Sequence, residues 1–185
     1  KEYADTATYG KMVLDKYYDQ YSPTWSEDIR YDTEYRIRDI HIQGVPVTGF
    51  IDRVDKKDHS IVVYDYKSGK TDKFREKLKA PDDKSNGGDY WRQMVFYDLM
   101  LIQDPKYHTH MDHGWLQALE PEKDGTFKQH KVVVTTEDRE IVTRQIVDTY
   151  QKIQNMEFNT GCGKCQWCEM HGIVAIPAEA EEQGD

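Results

Sequence analysis

The stretch from Gly49 to Lys70, GFIDRVDKKDHSIVVYDYKSGK, leaves the chain few options. Two β-rich runs, residues 45–54 and 60–67, flank a polar turn around Lys57, Asp58 and His59, which is the pattern of an antiparallel hairpin. A turn centred between Asp58 and His59 pairs Lys57 with Ser60 and, counting outward, Asp52 with Asp65. Directly opposed residues share a face, and Lys67, two positions beyond Asp65, shares it too. Two carboxylates with Cβ atoms about 5 Å apart, and an ammonium beside them, thus fall on one patch of a strand otherwise made of Ile, Val and Tyr. Like charges that close in a half-buried sheet repel unless a cation lies between them.

Oxygen donors without soft ligands suit Mg²⁺ or Mn²⁺ better than zinc. Water on such an ion is more acidic than free water, and Lys67 would orient it or stabilise charge developing on a phosphate. That is the chemistry of phosphodiester hydrolysis. The plain alternative for an isolated Asp-x-Lys is a cross-strand ion pair on an ordinary hairpin.

Around the hairpin the periodicities alternate between helix and strand. Tyr9, Met12, Val13, Tyr17 and Tyr21 recur at helical spacing over residues 6–21, and Pro23 helps end that helix. Residues 32–43 alternate as a first strand with Glu34 near its start, and Gly44 turns into the hairpin. Residues 68–88 carry turn formers throughout and no apolar period, so a mobile loop is expected over the catalytic face. Residues 89–102 read as a helix with Tyr90, Met94, Tyr97 and Leu101 in one stripe, and Gln93 and Tyr97 are neighbours on one face. Strands at 114–119 and 128–134 follow, then a helix opening at Thr136 whose stripe is Val142, Ile146, Tyr150 and Ile153. Helix, strand, hairpin, helix, strands and helix make an α/β fold, a mixed sheet flanked by helices. The chain is one domain's worth over residues 1–177, with a disordered tail at 178–185.

Gly49-x-Ile51-Asp52-Arg53 followed by Asp65-Tyr66-Lys67, and then Gln93-x-x-x-Tyr97, resembles the PD-(D/E)XK nuclease superfamily in its RecB-like branch. The resemblance spans about Tyr9 to Cys168. It implies a metal-dependent deoxyribonuclease, of exonuclease type, with the restriction-endonuclease-like core. It implies that Asp52 and Asp65 bind Mg²⁺ or Mn²⁺ with the Tyr66 carbonyl, that Lys67 is the catalytic lysine, and that Gln93 and Tyr97 support it. The branch's first helix carries a Gly-x-x-Val-His pattern whose His binds metal; here Gly10-Lys11-Met12-Val13-Leu14 puts Leu14 in that place. Either the metal has one ligand fewer, or Asp15, Glu34 or His41 substitutes, or the site is weakened. The same resemblance implies a helicase motor in the same chain or a partner subunit, acting in DNA repair or recombination. No Gly-x-x-x-x-Gly-Lys-Ser/Thr loop occurs, so these residues are not expected to hydrolyse ATP. Beginning at Lys1 without Met, the chain is expected to be a piece of a larger polypeptide.

A net charge of −9 opposes free-standing nucleic-acid binding, because phosphate affinity is largely electrostatic. Locally the sign reverses: Lys70, Lys73, Arg75 and Lys77 precede the helix that carries Arg92, and together they are candidates to grip a backbone. Cys162, Cys165, Cys168 and His171 have metal-ligand spacing, for zinc or a [4Fe–4S] cluster like that of AddB-type relatives, though the upstream fourth cysteine of that cluster is missing. Buried thiols packed around Trp167 are the alternative. Three cysteines make no disulfide framework and fit a reducing cytoplasm. His108, His110 and His113 crowd one short loop, without a helix to fix them as ligands.

Overall fold

The computed structural model describes residues 2–25, 28–69, 71–82, 85–157 and 165–170. The chain divides into two units, residues 1–144 and 145–185. The first unit holds α1 (Glu2–Tyr21), a five-stranded sheet, α2 (Phe74–Lys77), α3 (Asp89–Gln103) and the start of α4 (Thr136–Gln154). The second holds the end of α4 and α5 (Gln166–Met170). Among the described residues no helix is long and apolar enough to cross a membrane.

The strands are β1 (Arg30–Ile42), β2 (Val45–Lys57), β3 (Ser60–Lys67), β4 (His113–Pro121) and β5 (Phe127–Val132), in that spatial order. β1, β2 and β3 form an antiparallel meander, β3 and β4 are parallel, and β5 returns antiparallel to β4. The parallel pair needs a crossover, which α3 supplies. The meander runs through two tight turns. Ile42 pairs with Val45 across Gln43 (φ 49°) and Gly44 (φ 81°), and the second of these positions favours glycine. Lys57 pairs with Ser60 across Asp58 and His59, the expected centre.

Period-two burial breaks at one level of the β1–β2 ribbon. Ile51 and Val54, three residues apart, are both 0% exposed, and Asp52 and Arg53 lie between them. Opposite, Thr33 pairs with Arg53 and Tyr35 with Ile51, and the intervening Glu34 has φ 49°. A non-glycine residue in the left-handed region turns the ribbon over without changing its register. A second irregularity at Asp39 (φ 56°) lets Ile37 and Ile40 both face the core.

One face of the sheet packs on α3 through Met94, Val95, Met100 and Leu101, all nearly inaccessible. The other meets α1, where Tyr17 stacks edge-on against Tyr66 and Phe127. The expected α1 stripe is only partly inward: Val13 is 5% exposed, while Tyr9 and Met12 are 47% and 43% exposed. α4 departs similarly, with Val142 fully buried and Ile153 half exposed. It opens at Thr136 as expected and is capped by Thr135: Thr135 Oγ1 accepts from Asp138 N and Asp138 Oδ2 accepts from Thr135 N, a reciprocal box.

The described part of residues 68–88 contains the short helix α2. Phe74, 1% exposed, anchors α2 against the Tyr90 ring at 5.4 Å and the His130 ring at 5.6 Å. One apolar residue has no period, so no pattern announced it. Gly88 N donates to Lys79 O, and a Cβ at Gly88 would lie 2.1 Å from Lys77 O, so the close passage of the loop over the start of α3 requires glycine there.

Asp98, fully buried on α3, binds three groups that hold the loop before β4 and the start of α4 in place. Its carboxylate accepts from Met111 N at 2.8 Å and Arg139 Nε at 2.6 Å, and pairs with His110 Nδ1 at 2.8 Å. Asp98→Ala strands Arg139 and the Met111 amide, and should lower stability by about 3 kcal/mol in urea denaturation. A loss below about 1 kcal/mol would mean that water replaces the carboxylate without penalty.

Candidate active site

The ladder between β2 and β3 keeps the expected register from Lys57–Ser60 to Arg53–Tyr64, and ends there. One step further the strands part where the ribbon turns over, and Asp52 Oδ2 accepts a hydrogen bond from Tyr66 N at 2.8 Å. The two aspartates therefore sit at the fork of the strands, rather than as one more pair in a continuous ladder.

Asp65 is 2% exposed, and α3 completes its surroundings. Its Oδ1 accepts from Tyr97 Oη at 2.9 Å and from Gln93 Nε2 at 2.9 Å. The Gln93 amide also donates to Tyr97 Oη at 2.6 Å, and Gln93 Oε1 accepts from Lys67 Nζ at 2.8 Å. The helical spacing of Gln93 and Tyr97 is what lets both reach one carboxylate. Lys67 Nζ is 2.6 Å from Asp65 Oδ2, but off any hydrogen-bonding direction, so that buried oxygen has no directed hydrogen bond among the described residues.

Burial pushes the Asp65 carboxyl above the ordinary range, and the nearby Asp52 adds to the rise; Lys67 and Tyr97 oppose it without cancelling it. The Tyr97 phenol is also raised, by burial and then by the Asp65 charge, and so stays a donor. A buried carboxylate oxygen without a directed donor, next to a second carboxylate, is a set of hard oxygen donors that fits a divalent metal ion. Among the described residues no group of three His, Cys, Asp or Glu side chains comes together. Leu14 is 54% exposed, Asp15 is paired with Lys11, and Glu34 and His41 are exposed, so none of the three substitutes completes a triad with Asp52 and Asp65.

The basic candidates divide. Lys73 and Arg75 are exposed. Lys77 lies 4.6 Å from the centre of the Tyr90 ring, and Lys67 lies 4.7 Å from the same centre. The helical period marks Tyr90 as a core position, and its role as a ring shared by two ammonium groups had no separate signal in the sequence. Arg92 donates to the carbonyls of Asn86 and Gly87 and pairs with Asp89, which fastens the loop to α3. Lys70, Cys162 and His171 lie outside the described residues. Cys165 and Cys168 are reduced, with sulfurs 3.6 Å apart. Of the three histidines, His110 serves Asp98 and His113 packs on Trp115.

The family profile of the PD-(D/E)XK nuclease superfamily matches residues 3–173. Among solved structures, SSO0001 is similar at 17% identity and a TM-score of 0.43, covering 79% of this chain and 62% of that one. A structure from Eubacterium rectale, named "Putative exonuclease", is similar at 12% identity and a TM-score of 0.49, covering 95% of this chain and 74% of that one. No curated protein matches.

The raised Asp65 carboxyl has a consequence for stability. For an acid whose folded pKa lies above its unfolded one, the folded state holds the extra proton between the two values, so stability falls as pH rises through that window and stays reduced above it. Asp65→Asn should therefore melt at a higher temperature than the metal-free parent at pH 8, with the difference shrinking toward pH 4. A variant less stable than the parent at both pH values would show that the ion pair with Lys67 outweighs burial.

Proposed function

The chain belongs to the PD-(D/E)XK nuclease superfamily, and from that premise we propose that it is a metal-dependent deoxyribonuclease of exonuclease type. The observation that carries this reading is the buried Asp65 carboxylate, shared by Lys67, Gln93 and Tyr97 and set at the strand fork beside Asp52. Asp52, Asp65 and the Tyr66 carbonyl would hold Mg²⁺ or Mn²⁺, which when bound supplies an acidified water and charge to offset that of the phosphate.

Around it each side chain has a task. Gln93 accepts from Lys67 and donates to Asp65, so it fixes the lysine amine relative to the carboxylate. Lys67, with 18% of its side chain exposed, holds its ammonium between Asp65 and Gln93, where it would stabilise negative charge on a phosphate oxygen. Tyr97 keeps its proton and holds Asp65 Oδ1 in place. Lys73, Arg75, Lys77 and Arg92 are the candidates for backbone contacts. A helicase motor, in this polypeptide or a partner, and a role in repair or recombination remain part of the proposal on the resemblance to the RecB-like branch alone.

A second reading, a nuclease fold that binds DNA without cutting it, is favoured by Leu14 and by the lack of a three-residue ligand group among the described residues. Cleavage of linear single- and double-stranded DNA with Mg²⁺ or Mn²⁺ separates the two. Metal-dependent cutting that falls at least about 10³-fold in Asp65→Ala and in Lys67→Ala, with the circular dichroism unchanged, supports the nuclease. Cutting that survives both substitutions overturns the site assignment, and DNA binding with no cutting in either metal favours the second reading.

A further inference from the structure

Between β2 and α3, next to Gln93 and Tyr97, lies an open cleft of about 350 Å³ also lined by Phe50, Arg92 and Phe96. Phe50 is 53% exposed, although the next residue on its strand, Ile51, is fully enclosed. The Arg36 guanidinium lies 5.1 Å from the centre of the Phe50 ring, and Arg36 has no carboxylate partner among the described residues. At its mouth the cleft thus offers a half-exposed aromatic ring with the Arg36 guanidinium over it, and Asp89, the partner of Arg92, also lines the cleft. Its far wall carries residues of the Asp65 hydrogen-bond group and a second arginine.

Resting on the nuclease reading, we propose that this cleft is a nucleotide subsite that takes an unpaired base of the substrate strand. The base stacks on Phe50, and Arg36 and Arg92 face the adjoining phosphates. Inside a duplex both faces of a base are covered by its neighbours, so away from the duplex ends only an unpaired base can present a free face to the ring. The subsite therefore selects single strands. It also eases the difficulty posed by a net charge of −9, because stacking adds affinity that does not come from a basic surface, alongside the electrostatic contacts of the two arginines.

The test uses the whole chain in EDTA, where no cutting can occur, and a short oligothymidylate containing one 2-aminopurine, whose fluorescence is quenched by stacking. The parent protein should quench it, Phe50→Ala should abolish the quenching and weaken binding about tenfold, and Phe50→Trp should retain both. A blunt duplex of equal length should bind Phe50→Ala and the parent alike. The subsite is overturned if the parent binds without quenching, if Phe50→Ala binds as tightly as the parent, or if strand and duplex weaken equally. Cleavage with Mg²⁺ is run in parallel. A parent that cuts nothing refutes the nuclease reading, while the quenching still decides whether Phe50 stacks a base.

Discussion

One buried negative charge organises this fold. Asp65 sits at the centre of the sheet, almost out of reach of water, where an unpaired carboxylate would be expelled or protonated. The chain keeps it there by aiming three side chains at it, two from α3 and one from its own strand. Their placement in turn fixes how α3 must cross the sheet and how far β2 must part from β3. Even with this support the carboxyl titrates high. The arrangement costs the metal-free fold stability and leaves one oxygen oriented for a cation, the usual mark of a site kept for chemistry rather than for folding.

How much of this was legible depends on which signals are local. The hairpin register follows from a polar turn between two β-branched runs, and it holds at each pair from Lys57–Ser60 to Arg53–Tyr64. The Gln93–Tyr97 spacing is equally local, and both reach Asp65. The turning-over of the ribbon at Glu34 and Asp52 is not legible, because it is a backbone conformation of an ordinary residue with no glycine to mark it. Arg92 is a candidate phosphate contact by its charge, but its second task, fastening the loop to α3, is not legible. Its bonds to Asn86 and Gly87 depend on how the loop folds back, and charge alone carries no such information. The same holds for α1, whose aromatic period is real although several of its rings stay at the surface.

The two lysines that flank Tyr90 bear on the balance of charge. Lys67 and Lys77 both approach one ring, so α2 brings a second ammonium to the ring that the first already uses. A quadrupolar ring tolerates this, because its face is attractive to both cations. The chain is acidic overall, yet Lys67 and Lys77 gather two positive charges around one ring beside Asp65, and local potential rather than net charge governs the approach of a polyanion to a cleft.

The inversion at Glu34 and Asp52 also divides the β1–β2 ribbon into two parts with different freedom to change. The part paired with β3 is bound by the register that positions the aspartates. The outer part, from Tyr35 through the Gln43–Gly44 turn to Ile51, joins the rest of the sheet only through that one level. Ile37, Ile40, Ile42 and Val45 tie the arm to the core, but its exposed positions, Arg38, His41 and Pro46 among them, can change without disturbing the carboxylates. Evolution can thus vary this outer surface while the group around Asp65 stays constant, and an engineer can use the same positions for grafting.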